Sequence, residues 1–242
     1  MKGIILAGGL GTRLHPLTRI TNKHLLPVYD KPMIYYPIEM LMKAGVSDVM
    51  VITGGNNSGD FLRLLGNGKQ FGLSHLHYDY QDGEGGIADA LKLCEDFVGK
   101  DKMVVALGDN IIEKNIRRFA DEFRKQKRGA KIILKEVANP SEYGVAEVDG
   151  GRIKKITEKP KKPKTNLAVI GIYFYPNDVF GIIDTLKPSK RGELEITDVN
   201  NAYLKKKQLT YNVLEGWWQD CGESKDALLE ANMFVKRHGA NH

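Results

Sequence analysis

Short apolar runs that each end in glycine dominate the first half of this chain. Three of them occupy residues 3–7, 48–53 and 103–107. Runs of this length, rich in branched residues and bordered by glycine, predict buried strands. Segments with helical spacing separate them, over residues 33–44, 87–97 and 116–127. This alternation predicts an α/β fold, a Rossmann-like mixed and mostly parallel sheet covered by helices on both faces.

The pattern changes after Pro140. Residues 145–148, 152–158 and 167–175 have the composition of strands joined by turns, and they predict a small antiparallel lobe. With 242 residues, we expect one domain in three parts: a core over 1–137, the lobe and its continuation over 138–223, and a C-terminal helix over 224–242.

Composition excludes disorder, because 42% of the residues are hydrophobic and 27% are charged. The net charge of +6 suits small anionic ligands as well as nucleic acid. No apolar run approaches the roughly 20 residues of a membrane helix, so we expect no membrane partner. Cys94 and Cys221 are far apart in sequence, which predicts free thiols in a reducing compartment and a cytoplasmic protein.

A glycine-rich segment, Leu-Ala-Gly-Gly-Leu-Gly-Thr-Arg over residues 6–13, follows the first predicted strand. Ligands bind at the carboxyl ends of strands in such sheets, where 81–86 and 108–110 also lie. Glycines let the backbone approach a phosphate, and Arg13 adds a permanent cation. An ordinary tight turn is the alternative. The dinucleotide fingerprint fails at Leu14, and the spacing of a P-loop has Asp60 in place of its lysine.

Lys23, Gln81, Asp109 and Asp220 are further polar candidates. Lys23 could supply a second cation to the same phosphates, although most single lysines are solvated surface residues. Gln81 offers a donor and an acceptor, but polar loop residues are common. Each aspartate is a carboxylate in a turn, where simple turn capping is common.

Several motifs in order along the chain resemble those of the sugar-1-phosphate nucleotidylyltransferases. They cover the chain almost from end to end and comprise residues 6–13, Lys-x-Leu-Leu-Pro-Val over 23–28, 29–37, Leu-Gly-Asp-Asn over 107–110, 143–145, Glu-Lys-Pro over 158–160, 171–175 and Arg-Gly-Glu-Leu-Glu-Ile-Thr-Asp over 191–198. Within this family the resemblance is to members that transfer thymidylyl groups.

The resemblance implies that dTTP and glucose 1-phosphate react to give dTDP-glucose and pyrophosphate. A sugar phosphate is already an anion at neutral pH, so it can attack the α-phosphorus without a general base. Catalysis would therefore depend on positioning, cations and Mg²⁺ as the cofactor, and on none of the six histidines.

The resemblance also assigns residues to roles. Those for catalysis are Arg13, Lys23 and Asp109. Those for nucleotide binding are Leu6, Gly8, Gly9, Gly11, Thr12, Arg13, Gln81 and Gly86. Those for the sugar phosphate are Asn110, Tyr143, Gly144, Glu158, Lys159, Val169, Gly171 and Glu195. Asp109 and Asp220 would hold Mg²⁺.

The chain departs from the family pattern in a few places. His24 stands where relatives often carry Gln, and Gln219 and Cys221 replace a common Leu and Thr beside Asp220. Longer members continue with helices that build a regulatory site, so we expect this short form to lack that site. The family also implies a homo-oligomer, a dimer or a tetramer.

Three alternatives stay open at the level of sequence. The transferred group could be uridylyl or cytidylyl, which a panel of triphosphates would decide. The protein could be a nucleotide-sugar sensor without chemistry, although a sensor need not keep Arg13, Lys23, Asp109 and Asp220 together. The Lys205-Lys206-Lys207 run could bind nucleic acid, but no recognition motif accompanies it and we expect no such partner.

Overall fold

A nine-stranded sheet organises the part of the chain that the computed structural model describes, residues 1–55 and 57–242. In chain order the strands are β1 (Lys2–Ala7), β2 (Pro27–Val28), β3 (Lys31–Pro32), β4 (Asp48–Gly54), β5 (His75–Gln81), β6 (Met103–Leu107), β7 (Asn110–Ile112), β8 (Ala130–Glu136), β9 (Gly144–Asp149), β10 (Arg152–Glu158), β11 (Leu167–Tyr175), β12 (Leu209–Val213) and β13 (Trp218–Asp220). The helices are α1 (Tyr35–Lys43), α2 (Ser58–Leu65), α3 (Ile87–Lys92), α4 (Glu95–Val98), α5 (Arg117–Lys125), α6 (Val179–Ile183), α7 (Ile196–Lys205) and α8 (Lys225–His238).

The sheet is mixed, and one half of it is parallel. The order is β10-β9-β11-β6-β1-β4-β5, with β8 beside β11 and β12 beside β8. Strands β6, β1, β4 and β5 run parallel to one another. Strand β11 runs antiparallel to β6, β8 and β9. The predicted antiparallel lobe is therefore continuous with the central sheet, which it joins through the pairing of β9 with β11 at Ala168 and Val169.

Alternate residues of β1 show why helices cover both faces. Ile4 and Leu6 pack in one apolar layer with α3, α6 and α7, while Ile5 and Ala7 pack in the other with α1, α2 and α5. A strand buried on both sides reads as a continuous apolar run, because its two side-chain rows both face a core. The predicted fold class is confirmed.

A third, smaller core lies under the C-terminal helix. Leu228, Ala231 and Val235 of α8 pack against Val28 and Ile111, and Cys221 is buried in the same cluster. This packing places β13 beside β7, where Asp220 pairs with Asn110. Both cysteines are free and buried, as predicted.

One predicted helix differs from the structure. The pattern over residues 87–97 predicts a single helix, but α3 ends at Lys92 and α4 begins at Glu95. The N–H of Cys94 bonds to the carbonyl of Leu91, three residues back, which tightens one turn before the helix resumes. Among the described residues no helix is both long enough and apolar enough to cross a membrane.

Candidate active site

The glycine-rich loop lies where β1 ends, at the edge of the sheet shared with the ends of β4, β5 and β6. Gly11 has a φ of 66°, a left-handed conformation that favours glycine. A Cβ on Gly54, at the end of β4, would lie 2.8 Å from the carbonyl oxygen of Gly8. The backbones at the ends of β1 and β4 are therefore in close contact. The loop that follows β1 is exposed, and the side chain of Arg13 is exposed with it.

A buried charge cluster lies beneath this loop. Nζ of Lys23 contacts Oδ2 of Asp109 at 2.5 Å, with only 17% and 7% of the two side chains exposed. Asp220 is brought beside Asp109 by the β7–β13 ladder, and its Oδ1 accepts from the N–H of Gly222 at 2.9 Å. Two carboxylates therefore share one ammonium in a space that excludes most water.

The pKa values of Lys23, Asp109 and Asp220 reflect the presence of two carboxyl groups beside one ammonium group. Burial lowers the pKa of Lys23, but the carboxylates of Asp109 and Asp220 outweigh burial and leave it raised. Burial raises the pKa of Asp109, yet the charge of Lys23 prevails and the pKa falls. For Asp220, burial and then the charge of Asp109 raise the pKa, because Lys23 compensates it too weakly. The negative charge of the cluster is therefore incompletely compensated, and an additional cation would be stabilised there.

The donor set fits Mg²⁺. A Cβ on Gly222 would lie 2.6 Å from Oδ2 of Asp109, 2.8 Å from Nζ of Lys23 and 3.3 Å from Oδ1 of Asp220, so this glycine leaves free a point that both carboxylates and the ammonium face. Among the residues that the structure describes, no three His, Cys, Asp or Glu side chains converge. Mg²⁺ commonly takes only one or two carboxylates and completes its shell with phosphate and water oxygens.

His24 lies beside the cluster but is not suited to acid–base work. Its ring is buried, and Nδ1 lies 2.7 Å from Oδ1 of Asn22. Burial, with the charge of Lys23, lowers the pKa of His24 to about 3. The ring is neutral at physiological pH.

The opposite side of the cavity carries carboxylates that are more exposed. Oε2 of Glu158 accepts from the hydroxyl of Thr197 at 2.5 Å. Glu195 accepts from Arg191 at 2.8 Å and from the hydroxyl of Ser189 at 2.7 Å. Burial raises the pKa of Glu195, but its hydrogen bonds from Arg191 and Ser189 leave that pKa lowered. Both carboxylates therefore accept hydrogen bonds from neighbouring side chains.

Asn110 joins the two sides. Its Oδ1 accepts from the N–H of Gly171 at 3.1 Å and from the indole N–H of Trp218 at 2.8 Å. Its Nδ2 donates to Asp109 at 3.0 Å. A Cβ on Gly171 would lie 2.8 Å from Oδ1 of Asn110, so the close approach of β11 requires a glycine. Most of the polar capacity of Asn110 is therefore used within the protein.

All the residues predicted from the sequence line one cavity of about 430 Å³. The structure brings together Leu6, Gly8, Gly9, Gly11, Thr12, Arg13, Lys23, Gln81, Gly86, Asp109, Asn110, Tyr143, Gly144, Glu158, Lys159, Val169, Gly171, Glu195 and Asp220. Their individual roles stay predictions. A second, wide-open depression of about 1550 Å³ between β10, α7 and β12 contains none of them.

Sequence reasoning missed further residues that line the same cavity, among them three that make side-chain hydrogen bonds there. Arg191 and Thr197 lie in the Arg-Gly-Glu-Leu-Glu-Ile-Thr-Asp motif, and the spacing of Arg191 four residues before Glu195 was an available signal. Glu223 accepts a hydrogen bond from the hydroxyl of Tyr143, a contact that no local pattern indicates.

Comparisons with known proteins agree with this geometry. The nucleotidyl transferase family matches residues 2–238. The glucose-1-phosphate thymidylyltransferase of Neisseria meningitidis serogroup A is 45% identical over 240 residues, which are 98% of this chain and 83% of that protein.

Solved structures share the fold. A candidate glucose-1-phosphate thymidylyltransferase from Bacillus anthracis, crystallised with sucrose, superposes with a TM-score of 0.93 at 53% identity, covering 98% of this chain and 95% of that one. A UDP-glucose pyrophosphorylase bound to UDP-glucose gives a TM-score of 0.84 at 28% identity, covering 98% of both chains. From the match along nearly its whole length, the chain belongs to the nucleotidyl transferase family.

Proposed function

We propose that the protein transfers a thymidylyl group from dTTP to glucose 1-phosphate, giving dTDP-glucose and pyrophosphate. The observation that carries the proposal is one cavity in which a glycine-rich loop, a buried Lys–Asp–Asp cluster and two glutamates face one another. The relative named as a thymidylyltransferase, 45% identical over almost the whole chain, supports this choice of reaction.

In the proposed reaction a phosphate oxygen of the sugar attacks the α-phosphorus of dTTP in line. As the new P–O bond forms, the bond from the α-phosphorus to the bridging oxygen breaks, and pyrophosphate leaves with the electron pair. The attacking oxygen carries no proton at neutral pH, so no base is needed. The neutral ring of His24 is consistent with this.

Two cations of the chain would oppose the repulsion between the substrates. Arg13 is exposed beside the loop and makes no ion pair among the described residues, so its guanidinium is available to phosphate oxygens. Lys23 is fixed by Asp109 and faces the same cavity, and we assign it to the phosphates of both substrates. Preorganised charges in a space shielded from water are effective in stabilising a phosphoryl transition state.

We further propose that Asp109 and Asp220 hold Mg²⁺. When bound, the ion would neutralise charge on the phosphates and orient them. The proposal is supported by the two buried carboxylates that share one ammonium and by the space that Gly222 leaves between them.

The sugar would lie on the glutamate side. Glu158 and Glu195 are positioned to accept hydrogen bonds from hydroxyl groups, and Lys159 follows Glu158 at the cavity wall. A Cβ on Gly144 would lie 3.1 Å from the hydroxyl oxygen of Thr197, which donates to Glu158, so this glycine gives room to the Thr197–Glu158 pair. Carboxylate acceptors that are already oriented suit a polyhydroxylated ligand.

The homo-oligomer and the cytoplasmic location stay predictions. Light scattering coupled to gel filtration would measure the oligomer, and a monomer would contradict the expectation of a dimer or tetramer.

A panel of pyrophosphate-release assays tests the proposed function. The protein is incubated with dTTP, UTP, CTP, ATP or GTP, each with glucose 1-phosphate or another hexose 1-phosphate, and with Mg²⁺. We expect the highest kcat/KM for dTTP with glucose 1-phosphate. A clear preference for UTP would favour the uridylyl reaction, to which the structural similarity to a UDP-glucose pyrophosphorylase points. Binding of nucleotide sugar without any pyrophosphate release would favour a sensor.

A further inference from the structure

The side chain of Gln81 is almost wholly buried, and its amide nitrogen is already occupied. Gln81 ends β5 and is 8% exposed. Its Nε2 donates to the carbonyl oxygen of Gly86 at 3.1 Å and to Oδ2 of Asp89 at 2.8 Å. Asp89 lies in the first turn of α3.

These two partners fix which way the amide faces. A glutamine amide has two donor hydrogens on its nitrogen and an acceptor oxygen, whereas a backbone carbonyl and an ionised carboxylate only accept. Turning the amide over would set its oxygen against two acceptors inside a buried site. Both hydrogens of Gln81 are therefore directed at the protein, and only Oε1 is left for a ligand.

The free oxygen faces the nucleotide loop. Oε1 of Gln81 accepts no hydrogen bond from the described residues, and it lies 3.0 Å from the position that a Cβ on Gly8 would take. Gly8 thus leaves open the space in front of Oε1. An accessible acceptor that has no partner among the described residues and opens into a cavity is placed to accept a hydrogen bond from a ligand.

The loop is built to admit Asp89. A Cβ on Gly85 would lie 2.3 Å from Oδ2 of Asp89 and 2.4 Å from its carboxyl carbon. A side chain at position 85 would therefore push the carboxylate away from Gln81. The position of the Gly86 carbonyl is also fixed by two hydrogen bonds, since it accepts one from the N–H of Ala90 and one from Nε2 of Gln81.

We infer that Asp89 determines base specificity by holding the Gln81 amide so that only an acceptor is offered to the base. The inference rests on the proposed function and deepens it. Thymine and uracil carry a donor N–H at N3, which satisfies Oε1. Cytosine carries an acceptor at N3, which Oε1 would repel. Asp89 touches Gln81 and is a positioning residue.

Without Asp89 the discrimination would weaken. Only the Gly86 carbonyl would then oppose rotation of the amide, and Gln81 could present Nε2 to the N3 of cytosine. A site built around one hydrogen-bond donor rejects the analogue that lacks it, because a buried polar group is left unpaired.

The test compares dTTP, dUTP and dCTP, which share the sugar and the triphosphate. Affinities are measured by calorimetry with Mg²⁺ in the full chain, and kcat/KM by pyrophosphate release with glucose 1-phosphate. The variants are Asp89→Ala and Asp89→Asn, and the control is Asp96→Ala, an exposed first-turn acid of α4.

We expect the wild type to prefer dTTP over dCTP. Asp89→Ala lowers this preference about tenfold, the effect of one buried hydrogen bond, and leaves the dTTP-to-dUTP ratio within about twofold. Asp89→Asn, which keeps an acceptor oxygen, falls between Asp89→Ala and the wild type. Asp96→Ala matches the wild type.

Three results would overturn the inference: equal affinity of the wild type for dTTP and dCTP, an unchanged preference in Asp89→Ala, or an equal loss for all three nucleotides. If the wild type binds dTTP in preference to dCTP but releases no pyrophosphate with glucose 1-phosphate, the proposed reaction fails and the role of Asp89 stands.

Discussion

The two sides of the active-site cavity hold their charges in different ways. On the phosphate side, Lys23 and Asp109 pair with 17% and 7% of their side chains exposed. On the sugar side, Arg191 is 44% exposed and contacts Glu195, Glu193 and Glu158. Burial reduces the screening that weakens surface pairs, so the Lys23–Asp109 pair has a stronger electrostatic interaction than the pairs of Arg191, although Glu195 itself is only 12% exposed. We therefore expect a change of charge to cost more on the buried side of the cavity than on the exposed one.

Removal of divalent metal should give the largest effect and tests the phosphate side. We expect chelation to reduce turnover to background, because Asp109 and Asp220 share only one ammonium and further positive charge is needed for the phosphates. Thermal stability should hold, since Lys23 already compensates Asp109. Pyrophosphate release and melting curves before and after EDTA measure both, and restoration by Mg²⁺ is the control. Full turnover in EDTA would refute the metal proposal.

Asp109→Asn should come next. We expect kcat/KM to fall about a thousandfold, because the change removes both the partner of Lys23 and one proposed ligand of Mg²⁺. Asp101→Asn is the control, since Asp101 is 53% exposed and lies outside the cavity. Pyrophosphate release gives the rates and circular dichroism checks the fold. Turnover within a few-fold of the wild type would exclude Asp109 from catalysis.

On the sugar side, Glu195→Gln should act on sugar affinity alone. We expect the KM for glucose 1-phosphate to rise about tenfold, because a neutral acceptor binds a hydroxyl more weakly than a carboxylate does. The KM for dTTP should not change. Steady-state kinetics with each substrate varied in turn measure the two constants, and an equal rise in both would contradict a sugar-specific role.

Arg191→Met should have the smallest effect. Exposed ion pairs contribute about 0–1 kcal/mol, so we expect the KM for glucose 1-phosphate to rise about threefold at low salt. Because such pairs are screened, the difference between variant and wild type should shrink as salt is added. Steady-state kinetics across a salt series are the measurement. A loss comparable to that of Asp109→Asn would show that Arg191 is as essential as the buried pair.

The fold was readable from the sequence where strands are long and buried. The run that forms β1 is apolar because both faces of the strand pack against a core, and such a run can be recognised in the sequence alone. The three-residue strands β7 and β13 could not be found this way, since a ladder of three residues has no detectable period and depends on packing under α8. The pairing of β9 with β11 could not be predicted either, because only two residue pairs form it.

The sequence was sufficient to identify residues of the site, but not the contacts that these residues make with one another. Motifs in order along the chain identified the residues that the structure gathers around the cavity. No sequence pattern indicates that Asp89 accepts a hydrogen bond from the amide of Gln81, because the two residues meet only when β5, the loop and α3 are assembled. Likewise, the placement of Asp220 beside Asp109 depends on a ladder between distant segments.

The bonds made by Asn110 limit how the enzyme can open. One amide side chain ties β7 to β11 and to Trp218 of β13, directly between the phosphate and sugar sides. A clamshell motion would have to break these buried bonds at every turnover, which is costly. We therefore expect substrates to enter and products to leave by movement of segments at the mouth of the cavity, such as residues 189–194, while β7, β11 and β13 keep their relative positions.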